Sequence, residues 1–335
     1  MTKGFTYIYC FFCCISLTCC NQQTKADSNP DKDTLSVKIN RFDKELDWYL
    51  KNDNIENENK LKSSYKDFLS AFGVVTVGKS DINDKLFFST LKQYFSNQML
   101  SKIYSDALLQ FYDVSAYEKE LSVADNLIAS HFNGKKLPNI GMHISGFKEN
   151  TIVLDGFISV SSDKYLGINY PGYTPFFADY QRIQMQPKMI TRDILKAWII
   201  SERKKTEKKK KLLDEMIDEG RVIYILSALL PEWKDADLIG YDSKKLDWCV
   251  KNENDVWKIL VKRNFLFNND FSLVEQFMTD APNTIQVSKE SPGRLGIWVG
   301  WQIVKSYIKN SNCTLSDLMD MDSSVIWKES KYNPQ

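Results

Sequence analysis

The stretch SPGRLGIWVGWQIVKSY, residues 291–307, places the tightest constraint on what this chain can fold into. Its apolar spacing predicts a helix over about 292–309, with Pro292 suited to the first turn and Ser291 to the cap. Gly296 and Gly300 then stand four residues apart, so one helix face is nearly bare. Each glycine costs a helix about 1 kcal/mol against alanine. A helix carrying two must recover that cost from a backbone packed close against it, or from a bound chain. Trp298 and Trp301 are three apart and share a different face. Arg294, Gly296, Trp298, Gly300 and Trp301 are therefore the candidate partner-binding residues, and the two indoles are candidate stacking platforms for a glycan. A membrane-spanning dimer motif is excluded, because Pro292, Arg294 and Lys305 bracket a short apolar run.

The N-terminus gives the second constraint. Lys3 precedes an eleven-residue, mostly apolar run, Tyr7 to Leu17. A helix needs roughly 20 apolar residues to cross a bilayer, so this run reads as the core of a secretory signal spanning residues 1–19. Leu17-Thr18-Cys19-Cys20 resembles the lipobox of bacterial lipoproteins, although Cys19 stands where Gly, Ala or Ser is usual. Cys20 is then the first mature residue and the lipid-attachment site. A plain cleaved signal with a free Cys20 is the competing reading. One acyl chain holds a protein marginally and two or more hold it stably, so a lipoprotein needs no other membrane segment. Residues 20–36 are polar and carry no apolar spacing, which predicts a lipidated flexible tether. Residues 37–335 form the globular part.

Composition narrows the class further. The 44 basic and 43 acidic residues leave a net charge of +1, which argues against nucleic acid as a partner. Five of the seven cysteines lie in or at the end of the signal, leaving Cys249 and Cys313 either as a disulfide or as free thiols. Leu61, Tyr65, Phe68, Leu69 and Phe72 form one helical stripe, and Ile82, Leu86, Tyr94 and Phe95 a second. Leu121, Ala124, Leu127, Ile128 and His131 form a third, which makes His131 a core or boundary residue. Residues 137–147 and 151–162 alternate and are rich in β-branched side chains. With Lys148-Glu149-Asn150 as the turn, they predict a hairpin containing His143. Further helices are expected at about 174–184, 191–202, 208–229 and 243–264. The fold class is α+β: a mostly helical single domain with a small antiparallel sheet or hairpin.

Few constellations carry chemistry. RKKTEKKKK, residues 203–211, holds seven basic residues in nine and reads as a solvated loop and helix start, with anionic headgroups as a lesser alternative. Glu215, Asp218 and Glu219 lie near one another on the 208–229 helix, a speculative acidic site. A hard cation prefers six or more oxygens, usually from a loop, so the solvated-face reading leads. Nucleophile, P-loop and zinc motifs are absent. No cofactor and no metal ligand set is expected.

ISGFKENTIVLDGFISV, SDKYLG, LLDEMIDEGRVIYILSALLP, IGYDSKKLDWCVKNENDVW, TDAP and PGRLGIWVGWQIVKSY, in that order, resemble the gliding motility lipoprotein GldB family over most of the mature chain. The resemblance implies a lipoprotein required for gliding, with no enzymatic activity assigned. The expectation is an outer-membrane, periplasm-facing, non-catalytic accessory of the motility or associated secretion machinery, or of the envelope. It meets the membrane through its lipid and protein partners through its body. The family in turn looks distantly similar to zincin metallopeptidases. That likeness implies a degenerate zincin-like scaffold, with the helix at 190–200 in the place of the HExxH helix and Glu219-Gly220 at the third-ligand position. Residues 190–200 contain no histidine, so the three-ligand pattern does not transfer. A zincin-like hydrolase with altered ligands, using Glu215, Asp218 or Glu219, is the alternative, as is a peptide- or glycan-binding envelope module.

Overall fold

The glycine pair proves to lie where neighbouring chain segments approach its helix closely. In the computed structural model, which describes residues 36–204 and 210–335, the chain runs β1 (Ile39–Asn40), α1 (Phe42–Lys51), α2 (Ile55–Val77), α3 (Phe87–Phe95), α4 (Gln98–Gln110) and α5 (Ser115–His131). Next come β2 (Asn139–His143), β3 (Thr151–Leu154) and β4 (Phe157–Ser161), then α6 (Asp179–Arg182), α7 (Met189–Glu202) and α8 (Leu212–Leu229). The C-terminal part is helical: α9 (Asp235–Ile239), α10 (Ser243–Lys251), α11 (Glu253–Lys262), α12 (Phe271–Met278), α13 (Leu295–Lys309), α14 (Leu315–Asp320) and α15 (Ser323–Ser330). The lipid-attachment residue Cys20, the 1–19 signal, the tether up to residue 35 and residues 205–209 of the basic run lie outside the described residues. Among those described, no helix is long and apolar enough to cross a membrane.

Helices α8 and α13 cross where glycine meets glycine. A Cβ built on Gly300 would lie 1.6 Å from the Met216 carbonyl oxygen, and one on Gly220 would lie 2.2 Å from the Gly300 carbonyl carbon. Gly296 instead faces α12, where the nearest atom to such a Cβ is Met278 Sδ at 2.7 Å. Close backbone approach thus recovers the helix cost of the glycines. Helix α13 begins later than the sequence suggests. Its N-cap is Arg294, in the left-handed region at φ 57°. The Ser291 hydroxyl is used elsewhere: it accepts from the Thr284 amide and donates to the Ser288 carbonyl.

The sheet is mixed, in the order β1-β2-β4-β3. β2 runs parallel to both β1 and β4, and only β3–β4 is antiparallel. The hairpin therefore turns at Asp155-Gly156, within the second predicted strand, and not at residues 148–150. Gly156 supplies the positive φ, 69°, that the tight turn requires. The 144–150 loop is instead pinned to the sheet. Buried Asp163 accepts from the amides of Ser145 at 3.2 Å and Phe147 at 2.6 Å, which leads the chain across β4 to the sheet edge.

Two cores sandwich this sheet. Ile152 and Leu154 face the core of α1, α2 and α3, with Phe42, Phe68, Phe72 and Phe87. Ile158 and Val160 face the larger core built by α5, α7, α8 and α13. Several smaller expectations shift. Leu86 is exposed, and Phe87, Phe88 and Leu91 carry that stripe inward. The 243–264 helix is two, meeting at Asn252. Of 174–184, only Asp179–Arg182 is α-helical. His131 is exposed at the end of α5. His143 is fully buried, its Nδ1 2.8 Å from Ser159 Oγ, and burial pushes its imidazole down to about 3. Cys249 and Cys313 are free thiols.

Candidate functional site

Helix α7 is apolar apart from a few charges, and three of them share a direction. Arg192, Asp193 and Lys196 line a cavity of about 650 Å³ together with Glu215 and Glu219 of α8, Asn150 and Thr151 at the sheet edge, and Lys164. Residues four apart on a helix share a face. Hence 192 and 196 on α7, and 215 and 219 on α8, open into one space.

Most of the charge in this space is paired. Lys196 Nζ lies 3.2 Å from Glu219 Oε2. Arg192 Nε donates to Asp193 Oδ1 at 2.8 Å, and Arg192 Nη1 donates to the Asp237 carbonyl at 3.0 Å. The Tyr165 hydroxyl donates to Asp193 Oδ2 at 2.7 Å. Across the cavity, Arg294 Nε lies 2.6 Å from Asp280 Oδ1, and Arg294 Nη2 donates to the Gly240 carbonyl at 3.2 Å.

Two groups are less satisfied. Burial raises the Glu215 carboxyl; Lys210, at 3.9 Å, works against that, and neighbouring Asp218, Glu219 and Asp214 add to it. Lys164 has no carboxylate within ion-pair distance among the described residues. Its ammonium donates to the Phe147 carbonyl at 3.3 Å and sits 4.5 Å over the Phe177 ring. Burial lowers it, with Asp163 and Glu149 pulling the other way.

The acidic trio of the sequence divides. Glu215 and Glu219 face the cavity, whereas Asp218 turns to the opposite side of α8. There it meets Lys210 at 2.6 Å, Arg203 at 2.8 Å and Arg221 at 3.1 Å, and it accepts from Ser323 Oγ. Burial alone would raise this carboxyl; the Lys210 bond and the charges of Arg203 and Arg221 outweigh burial and hold it below its ordinary value. Of the α13 residues, only Arg294 reaches the cavity wall beside Ile297. Trp298 and Trp301 are 1% and 0% exposed, so neither indole can act as a surface stacking platform. Lys305 Nζ already covers the Trp301 ring, 3.7 Å from its centroid. Gly296 and Gly300 are filled by α12 and α8.

Arg192, Asp193 and Lys196 escaped the sequence reading, which noted only the missing histidines of 190–200. The signal was present: RDILK repeats the spacing of HExxH with each ionisable residue changed. In a metallopeptidase helix, the i and i+4 histidines bind zinc and the glutamate serves as base. Arg192 and Lys196 share that i, i+4 spacing but are cations, and Lys196 pairs with Glu219. These residues do not fit a metal ion, because two positive side chains stand where neutral donors are needed.

The sequence profile described as gliding motility protein GldB matches residues 22–334, nearly the whole chain. No curated protein and no solved structure matches. That family is one of motility-related lipoproteins, and the α7–α8 cavity is a charged recess of this chain that draws cationic and acidic side chains from two helices into one space. On the extent of the profile match, the chain belongs to the gliding motility protein GldB family.

Proposed function

We propose that this chain is a lipid-anchored, non-catalytic accessory of the gliding or associated secretion machinery, or of the envelope. Cys20 carries the lipid, residues 20–36 set the reach, and the globular part faces the periplasm from the outer membrane. The α7–α8 cavity holds part of a protein partner. The observation that carries this reading is the ion pairing of the cavity: Lys196 with Glu219 and Arg192 with Asp193. A carboxylate committed to a cation at hydrogen-bond distance is a poor base and a poor metal ligand. Such a lining recognises polar and charged surface instead.

The anchor is tested by feeding cells radiolabelled palmitate. Wild-type chain is expected to carry the label and to sediment with membranes; Cys20→Ser is expected to lose both. Label and membrane fraction unchanged in Cys20→Ser would overturn the anchor. One observation favours a hydrolase as second reading. Glu215 lines the cavity with its carboxyl raised by burial, as a general acid requires.

A further inference from the structure

Among the described residues, strand β3 is the last strand of the sheet, and no further strand covers its outer side. In an antiparallel pair, alternate residues bond across the ladder and the others point away. Asn150 accepts from the Ser161 amide. With the register Ile152↔Ser159 and Leu154↔Phe157, the even-numbered residues therefore face β4. The amides and carbonyls of Thr151 and Val153 face outward. Among the described residues, no loop, cap or side chain bonds to them. Edge strands are normally blunted by charge, proline or a covering segment. This one is short, at four residues, but it carries no charge and no proline, and it presents Thr151 and Val153, the latter 41% exposed.

The same two residues lie on the α7 face of the sheet, opposite Val160 and Ile158, and Thr151 also lines the cavity. A strand added at this edge would send alternate side chains toward that space. Lys164 lies close by: its ammonium is half-buried, with Asp163 and Glu149 acting on it only beyond ion-pair distance among the described residues, and Asn150 and Thr151 share its cavity.

From this juxtaposition we infer that the edge of β3 takes up an extended peptide segment of a partner as an additional strand, with an acidic side chain of that segment meeting Lys164. The inference rests on the reading that the cavity holds part of a protein partner, and it names the form and chemistry of that part. Main-chain bonds to Thr151 and Val153 supply the register, and the cavity supplies the selectivity, as in strand-addition recognition generally. The paired charges Lys196–Glu219 and Arg192–Asp193 add polar lining without net sign. Glu215 on the α8 wall disfavours a second acidic side chain deeper in.

The test uses the mature chain purified in detergent and a displayed library of random nine-residue peptides. Recovered peptides are expected to share one acidic position. An N-methyl scan of one such peptide is expected to weaken binding about tenfold at alternate positions only. Val153→Pro removes an outward amide that β4 does not use, a substitution an edge strand tolerates. It is expected to weaken binding tenfold or more, and Lys164→Gln to erase the acidic preference. Binding unchanged in Val153→Pro, or equal sensitivity at every N-methylated position, overturns strand addition and leaves the partner-holding reading standing. Recovery of no peptide overturns both. The N-methyl scan leaves the protein unaltered, so its outcome does not depend on how the variants fold.

Discussion

Gly300→Ala is expected to abolish the cooperative fold, with a loss of at least about 4 kcal/mol. Helix propensity alone predicts the reverse, a gain of about 1 kcal/mol from removing a helical glycine. The two effects can be weighed. The added methyl would sit 1.6 Å from the Met216 carbonyl oxygen and 2.2 Å from its carbonyl carbon. These are backbone atoms inside α8, so no rotamer change relieves the overlap. The helices would have to separate along the contact that joins the two halves of the larger core, exposing part of the packing of Trp298, Trp301, Ile217 and Met216. Ordinary overpacking costs about 1–3 kcal/mol; a clash against fixed backbone belongs above that range. Gly134→Ala is the matching control. It meets nothing within 4 Å and pays only for its φ of 77°, about 1–2 kcal/mol. Chemical denaturation of both variants measures the difference. A Gly300→Ala protein as stable as wild type would mean that α8 and α13 do not touch at this point.

Asp218→Ala is expected to cost about 3 kcal/mol, which corresponds to a melting point about 6 °C lower. The magnitude comes from what is left behind. Arg221 is 2% exposed, and burial already pulls its guanidinium down to about 10. Without Asp218 it keeps the Met319 carbonyl, at 3.1 Å, but loses its carboxylate. Arg203 loses its carboxylate as well, and Lys210 keeps only Glu215 at 3.9 Å, so three cations crowd one spot with little to balance them. The pH dependence gives an independent check. The Asp218 carboxyl is held below its ordinary value in the folded chain. Its contribution is therefore complete above the ordinary value near 3.8 and is lost as pH falls through the lower, folded value. The gap between wild type and Asp218→Ala should be constant from pH 5 to 7 and should narrow below pH 4. A gap that widened on acidification would contradict the assignment.

These two positions also show what was legible beforehand. Glycines four apart on an apolar helix have few explanations, and close helix contact was one of the two named. The stripe Leu61, Phe68, Leu69 and Phe72 was legible for a similar reason: helical period and burial coincide along the inner face of α2. The hairpin turn was misplaced because Lys148-Glu149-Asn150 has turn composition, while the force that fixes the chain there, Asp163 gripping the Ser145 and Phe147 amides, acts from another strand end. The parallel β2–β4 pairing is equally non-local. Ser291 looked like a cap, but tertiary bonds to residues 284 and 288 took its hydroxyl. In the acidic trio, Glu215 and Glu219 are four apart and share the cavity face. Nothing local revealed that Asp218 would be claimed by cations at both ends of the basic run. The cavity lining on α7 was readable in principle, since three charges interrupt an otherwise buried helix.

If the domain holds a partner and does not cut one, as proposed, the ion pairs of the cavity keep a metal out. The most direct measurement is the metal content of the purified mature chain after equilibration with zinc, set beside that of Glu219→Gln. The account predicts well under one zinc per chain in wild type and no decrease in Glu219→Gln. One zinc per chain in wild type, lost in Glu219→Gln, would contradict it and establish the hydrolase reading in its place.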